Sequence, residues 1–380
     1  MNEKSKTRIA VIGGGIGGAA LANLLQQYGY ACTVYEQATE LRLVGAGINF
    51  ATNAMQAFRA LGLLDKAVKA GIHFPVKNNR TWDTDETFYT VDMFKLAEKY
   101  GAPFIAFHRG RLHEVLASSL RPGTLKLGKR FNSLAQKNGT IEIDFEDGTK
   151  VEADAVIGAD GLHSRVRAII RGDGPPDYFG HVAYRSIFPT SALPHYDLTD
   201  HIRWWSPTTS YVLIYKLTEA RDEVNLVAFA PEEWGSDDFS PQIVSQDRML
   251  ASFEGYHPNV QAVLKSCTEV SRWPILVRPS SLPWSDGAVT LMGDAAHPAT
   301  PHLGQGGGMA MEDAVMLARC IDSVNGEDMK LAFRRYEATR FERTAKVQSE
   351  SQKNLIGRGK ADQDWLYSYD VLTAPISSLE

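Results

Sequence analysis

The sequence predicts an α/β fold: a parallel sheet flanked by helices, interleaved along the chain with a smaller domain built on an antiparallel sheet. Three observations predict it. The chain opens with a strand, a glycine turn, a helix and a second strand, from Thr7 to Glu36. Two later strands end in Gly158-Ala159-Asp160-Gly161 and Gly293-Asp294. Between His181 and Asp286, 106 residues hold only two of the chain's 32 glycines, Gly235 and Gly255, and carry strand alternation instead.

The opening unit is read first. Thr7 to Ile12 is β-rich. Gly13 to Gly18 fits G-x-G-x-x-G, Ala19 to Tyr30 is a helix rich in Ala and Leu, and Ala31 to Tyr35 is a second strand. Gly13 permits the tight turn, Gly15 lets the backbone approach a pyrophosphate, and Gly18 lets helix pack close to strand. The helix start offers free N–H groups and a positive dipole end to phosphate. Glu36, 18 residues after Gly18, is placed to accept hydrogen bonds from an adenosine ribose. An acid there favours a 2′-hydroxyl over a 2′-phosphate, so the unit reads as a Rossmann-like site for FAD or NAD. Uncharged Ile9 to Tyr30 follows Lys4, Lys6 and Arg8, as in a secretory leader. Five glycines in six positions make it a poor apolar helix, since each costs about 1 kcal/mol.

The later motifs choose FAD. A nicotinamide dehydrogenase needs no second nucleotide-facing Gly-Asp strand, whereas a tightly held flavin does. Asp294, at a strand end, suits the ribityl hydroxyls. Gly304, Gly306 and Gly307 precede a helix predicted from about Met309 to Asp322, with Glu312 and Asp313 in its first turn. They would let backbone N–H groups approach the flavin ring, with the positive helix end stabilising charge on reduced flavin.

With these three motifs in order, the sequence resembles the single-component flavin-dependent aromatic monooxygenases, the group of the p-hydroxybenzoate and salicylate hydroxylases. The likeness covers most of the chain and includes Leu43 to Ile48, His108-Arg109-Gly110 and Trp204-Trp205-Ser206. It implies that Arg42 and Arg109 lie against the flavin chain, and that Gly47 and Asp160 join the cofactor set. It implies NADH or NADPH as a transient co-substrate, O2, and a flavin hydroperoxide that hydroxylates an aromatic ring. The substrate implied is a hydroxylated aromatic or N-heteroaromatic acid, hydroxynicotinate-like, with or without decarboxylation. The same flavin chemistry on another natural product or antibiotic is the alternative, and a non-catalytic FAD-binding redox protein a further one.

Three side chains are singled out for chemistry. His302 lies between the Pro301 turn and the flavin-facing glycines, where the resemblance also has a histidine, and histidine titrates near neutral pH. Tyr215, like Tyr211, alternates with Val212 and Ile214 on a lid strand, so one face should look into the pocket. His201 precedes the Trp204-Trp205 strand at the pocket mouth. His297 and His108 are read as structural. Against the family's hydroxynicotinate-oxidising branch, four pocket positions depart: Asn49 for a histidine, and the neighbourhoods of His201, Ser210 and Ile214.

The expected division is 1–75, 101–178 and 272–325 for the FAD domain, 76–100 and 179–271 for the substrate lid, and 326–380 for a helical segment and tail. The balance of 40 basic and 45 acidic residues, a net charge of −5, argues against nucleic acid as a partner. No uncharged run other than the glycine-broken one suits a membrane span. Cys32, Cys267 and Cys320 form neither a disulfide framework nor a metal site, which suggests a reducing, cytoplasmic setting. Small molecules are the expected partners, the chain acting as monomer or homodimer.

Overall fold

The computed structural model describes residues 7–41, 47–137, 139–193, 198, 201–206, 210–217, 220, 222–353 and 362–379. Arg42 lies outside them. The opening unit forms as its sequence dictates. Strand Arg8–Ile12 leads through the glycine turn into helix Ile16–Gln27, followed by strand Ala31–Tyr35. Gly13 has φ of 105°, and a Cβ there would meet the Ala159 carbonyl oxygen at 2.4 Å. A Cβ on Gly18 would lie 2.0 Å from the Gly13 carbonyl oxygen, so helix and turn touch only because glycine occupies both positions.

Arg8–Ile12 is central in a six-stranded sheet. Ala31–Tyr35 and Leu125–Lys126 lie on one side, and Ala155–Gly158, Val289–Leu291 and Ser285–Asp286 on the other. All pairings are parallel except the last. The carboxyl ends of the first strand and of both later motif strands therefore meet on one edge, where α/β sheets bind ligands. Helix Gly306–Asp322 packs against Ile16–Gln27, and buried apolar side chains of both fuse with the sheet into one core.

The second sheet has eight strands, in the order Gln242–Val244, Val270–Val277, Asp177–Pro189, Glu223–Pro231, Tyr211–Lys216, His201–Trp205, Val76–Thr81 and Thr87–Asp92. It departs from the expectation in two respects. One pair, His201–Trp205 with Val76–Thr81, is parallel. The divisions at 179 and 272 cut Asp177–Pro189 and Val270–Val277, two strands paired to each other, so the sheet extends to Val277. Its outer face is covered by helices Gln246–Ala251 and Pro258–Lys265, giving a separate core that includes Ile202, Trp204, Val212 and Ile214.

The chain end is more than a tail. Helix Met329–Lys353 packs along Gly306–Asp322. After it, Leu366 and Val371 are fully buried, and short helix Asp364–Tyr367 closes over the junction of the two sheets. Among the described residues, no helix is long and apolar enough to cross a membrane.

Candidate active site

Strand register builds the roof of a cavity of about 370 Å³ between the sheets. Side chains alternate faces along a strand, so residues paired across strands share a face. Lys77, His201, Tyr215 and Asn225 form one cross-strand row. Arg203, Leu213, Val227 and Arg185 form the next, and Trp205, Tyr211, Phe229 and Ala183 a third. These rows face the parallel-sheet domain. The intervening Ile202, Trp204, Val212 and Ile214 face the outer core.

The floor comes from the glycine motifs. Gly15, Gly17, Gly47, Gly161, Gly293, Asp294, Gly304, Gly306 and Gly307 all line the cavity, with Arg109 and His302. Arg109 opens helix Arg109–Ala117 on the strand that pairs with Gly47–Phe50. Gly304 adopts φ of 65°, which ends the short Pro301–Leu303 turn and aims the start of helix Gly306–Asp322 at the cavity. Gly47 is needed for contact with the roof, since a Cβ there would lie 2.4 Å from the Tyr215 hydroxyl. Its N–H donates to Asn225 Oδ1 at 2.8 Å, joining the two domains.

These residues fit FAD. At Gly15 a Cβ would meet nothing within 4 Å, so the first backbone turn is open to a pyrophosphate. Helix Ile16–Gln27 has no side-chain cap, which leaves its leading N–H groups to a ligand. Glu36 accepts from the Gly14 N–H at 2.7 Å and the Ala38 N–H at 2.8 Å. A carboxylate has about four acceptor positions, so capacity for ribose hydroxyls remains. Asp294 is exposed to the open cavity, and desolvation by the surrounding protein raises its pKa above the ordinary carboxylate range. Among the described residues it has no hydrogen-bond partner, which the ribityl hydroxyls would supply.

Asp160 has a different local task. Its carboxylate accepts from the Ser164 hydroxyl at 2.5 Å and from the Arg165 and Val166 N–H groups at 2.8 and 3.2 Å. It holds the start of helix Arg165–Arg171, while its neighbours Ala159 and Gly161 line the cavity.

The chemistry-bearing side chains fall into two groups. His302 is buried, and its Nδ1 lies 3.1 Å from the Tyr211 hydroxyl. Phe229 packs edge-on to the same imidazole at 5.1 Å. His201 is buried in its strand rather than at a mouth, stacked on Tyr215 with ring centres 5.2 Å apart. Asn49 Nδ2 lies 3.2 Å from His201 Nε2. Burial and the neighbouring Lys77 and Arg203 charges keep this imidazole neutral well below its usual range. Burial likewise raises the Tyr215 phenol, which stays protonated.

Sequence reasoning missed Lys77, Arg185, Arg203 and Tyr367, all lining the cavity. The three cations sit on alternating strand positions that read as a solvated face until the register is known. Of the four departures from the family branch, Asn49 lines the cavity and His201 touches it through Asn49. Ile214 faces the outer core, and Ser210 bonds Ser206 and Tyr256.

His297 is structural, as expected. Its Nε2 lies 2.6 Å from Asp313 Oδ2, which also accepts the Gly293 N–H at 2.8 Å. Glu312 and Asp313 lie in the second turn of a helix that starts at Gly306, not its first. Both are fully buried and paired with Arg340 at 2.8 Å, and Glu312 also with Arg343 at 2.7 Å.

The fold, the glycine-lined cradle and the aromatic roof define a flavin-dependent monooxygenase acting on aromatic rings. Residues 6–351 match the FAD binding domain family, and the chain belongs to it. It is similar to the 6-hydroxynicotinate 3-monooxygenases of Bordetella bronchiseptica, 37% identical over 98% of each chain, and of Pseudomonas fluorescens, 38% identical over 97% of this chain and 96% of that one. It is also similar to 3-amino-4-hydroxybenzoate 2-monooxygenase of Streptomyces cremeus, 34% identical over 91% and 86%. Among solved structures, a salicylate hydroxylase substrate complex superposes with TM-score 0.84 at 25% identity, covering 98% of this chain and 99% of that one. A Klebsiella pneumoniae HpxO variant complexed with FAD superposes with TM-score 0.81 at 26% identity, covering 93% and 91%.

Proposed function

We propose that the enzyme uses NADH or NADPH and O2 to hydroxylate a hydroxylated aromatic or N-heteroaromatic acid, of the size of a hydroxynicotinate or hydroxybenzoate. One observation carries the reading: a single cavity joins the FAD cradle at Asp294 and Gly304–Gly307 to an aromatic, cation-bearing roof. Bound FAD would supply transfer of electrons from the nicotinamide donor to O2 and delivery of one oxygen atom to the ring. The chain's own residues do the rest. Arg109, Asp294 and the glycines hold the cofactor. Leu213, Val227, Tyr211 and Phe229 give an apolar seat for the ring and exclude water from it.

The Tyr211 hydroxyl and His302 form a hydrogen-bonded pair at the cavity wall. In our reading the pair accepts the proton of the substrate hydroxyl, which raises electron density on the ring. Tyr215 remains protonated and serves as a donor, and His201 remains a neutral positioning residue. The division into an FAD domain and a lid, with the lid extended to Val277, belongs to this reading. So does Arg42 at the flavin chain.

The test is anaerobic reduction of the FAD-loaded enzyme by NADH and by NADPH, with and without hydroxynicotinate, hydroxypyridine and hydroxybenzoate ligands. The reading expects one donor to reduce the flavin many-fold faster when an aromatic acid is bound. A flavin that neither donor reduces with any ligand would contradict it.

A further inference from the structure

The glycine turn contains a peptide group that its own sequence leaves free to turn over. Gly14 and Gly15 are both glycines, so neither side of the bond between them carries a Cβ to resist a half-turn of the peptide plane. In one orientation the group presents the Gly15 N–H to the open side of the turn. In the other it presents the Gly14 carbonyl oxygen there. A phosphate needs hydrogen-bond donors, so only the first orientation can hold it.

The polar groups around this bond have fixed partners. The Gly13 N–H donates to the Tyr35 carbonyl at 2.8 Å, and the Gly14 N–H to Glu36 Oε2 at 2.7 Å. The Ala19 N–H donates to the Gly15 carbonyl at 2.9 Å at the start of helix Ile16–Gln27, so the Gly14 carbonyl lies outside the helix ladder. Its partner comes from a distant part of the chain: His113 Nε2 lies 2.5 Å away. A carbonyl oxygen only accepts, so the imidazole carries a hydrogen on Nε2. The Gly15 N–H has no hydrogen-bond partner among the described residues. The Gly14–Gly15 bond is trans, and in a trans peptide the C=O and N–H point in opposite directions. Holding the Gly14 oxygen against His113 therefore turns the Gly15 N–H to the other side, in a turn where a Cβ on Gly15 would meet nothing within 4 Å.

His113 is a fixed point. It lies on helix Arg109–Ala117, four residues after Arg109 and so on the same helix face. Asn23 Nδ2, on helix Ile16–Gln27, donates to the Leu116 carbonyl at 3.0 Å and ties the two helices together. The helix that brings Arg109 to the cavity thus also grips the glycine turn.

We propose that His113 is a positioning residue for the cofactor: it fixes the Gly14–Gly15 peptide with its N–H outward, so that the turn is preset to hold the pyrophosphate of FAD. Without the imidazole donor the buried Gly14 carbonyl loses its partner and the peptide turns over. A carbonyl oxygen then faces the phosphate where a donor stood, and attraction becomes repulsion.

The test uses the full-length enzyme stripped of FAD and titrated with FAD, ADP and adenosine, of which only adenosine lacks the pyrophosphate. Dissociation constants come from flavin fluorescence for FAD and from calorimetry for the other two. His113→Leu is expected to weaken FAD and ADP about tenfold or more, in line with loss of a charge-assisted bond, and to leave adenosine unchanged. His113→Gln, whose side-chain amide can donate to the same carbonyl, is expected to restore both affinities. Unchanged FAD and ADP affinity in His113→Leu would overturn the proposal. Equal weakening of all three ligands would do the same, because a merely structural histidine loosens the adenosine site with the rest. So would a failure of His113→Gln to restore binding. If His113→Leu does not fold, His113→Phe keeps a flat ring without the donor and carries the same expectations.

Discussion

At the residue scale, the proposed function rests on two side chains. Asp294 has no hydrogen-bond partner among the described residues, so Asp294→Ala should release FAD with little loss of fold. The measurement is flavin content after gel filtration together with melting temperature, and a fully flavinylated, equally stable variant would contradict the assignment. His302→Ala should leave flavin content unchanged and lower substrate-coupled hydroxylation about a hundredfold or more, the scale of a lost proton acceptor. Unchanged coupling of NAD(P)H consumption to product would make His302 structural. Both residues line the cavity and could be singled out in the sequence because each stands close to a glycine that the backbone needs. Asp160 shows the limit of such reasoning. Its neighbours Ala159 and Gly161 line the cavity, yet its carboxylate spends its bonds on the next helix start. Lys77, Arg185 and Arg203 were illegible for a different reason. A charge on an alternating strand looks solvent-facing until the partner strand and the covering domain are known.

At the element scale, the helix Gly306–Asp322 is held from behind by helix Met329–Lys353. Asp313 is the joint: Arg340 lies on one oxygen, and the Gly293 N–H and His297 meet on the other. It therefore positions the strand end that carries Asp294. Removing Arg340 leaves two buried carboxylates short of a cation, so Arg340→Met should cost about 3–5 kcal/mol and loosen FAD binding. Thermal unfolding with and without added FAD checks it, and a variant within about 1 kcal/mol of wild type would contradict it. The pH dependence has a definite sign. The Arg340 and His297 charges and the Gly293 N–H outweigh burial and hold Asp313 far below the ordinary carboxylate range. Its contribution is thus complete above the unfolded value of about 4 and is lost only as pH falls below that towards the depressed folded value. Asp313→Asn should flatten the loss of stability on acidification, measured by melting temperature from about pH 7 to about pH 3. A helical segment was expected in the C-terminal stretch, but not the burial of its arginines. A periodic pattern rich in Arg and Glu reads as a solvated face, whereas here opposite charges meet between two helices.

At the scale of the whole molecule, the six-stranded and eight-stranded sheets left a trace in the distribution of glycine. Glycines crowd where backbone must approach a ligand or another element, and the lid strands need side chains to pack on both faces. That contrast separates the two sheets along the chain but does not give the ends of their strands. Asp177 and Val277 pair within one sheet, and a strand boundary set by pairing leaves little trace in local composition. The cavity itself was invisible to the sequence, because it exists only where Gly47 meets Asn225 and Tyr215 across the domain boundary. The account's central claim is that this interdomain cavity couples flavin to an aromatic acid. Its most direct test is turnover of the FAD-loaded enzyme under isotopically labelled O2 with NAD(P)H and a panel of hydroxynicotinates, hydroxypyridines and hydroxybenzoates, with product masses recorded. The account predicts that at least one acid yields a product carrying one labelled oxygen atom, with NAD(P)H consumption stimulated many-fold. Unlabelled product, or consumption that no aromatic acid stimulates, would contradict it.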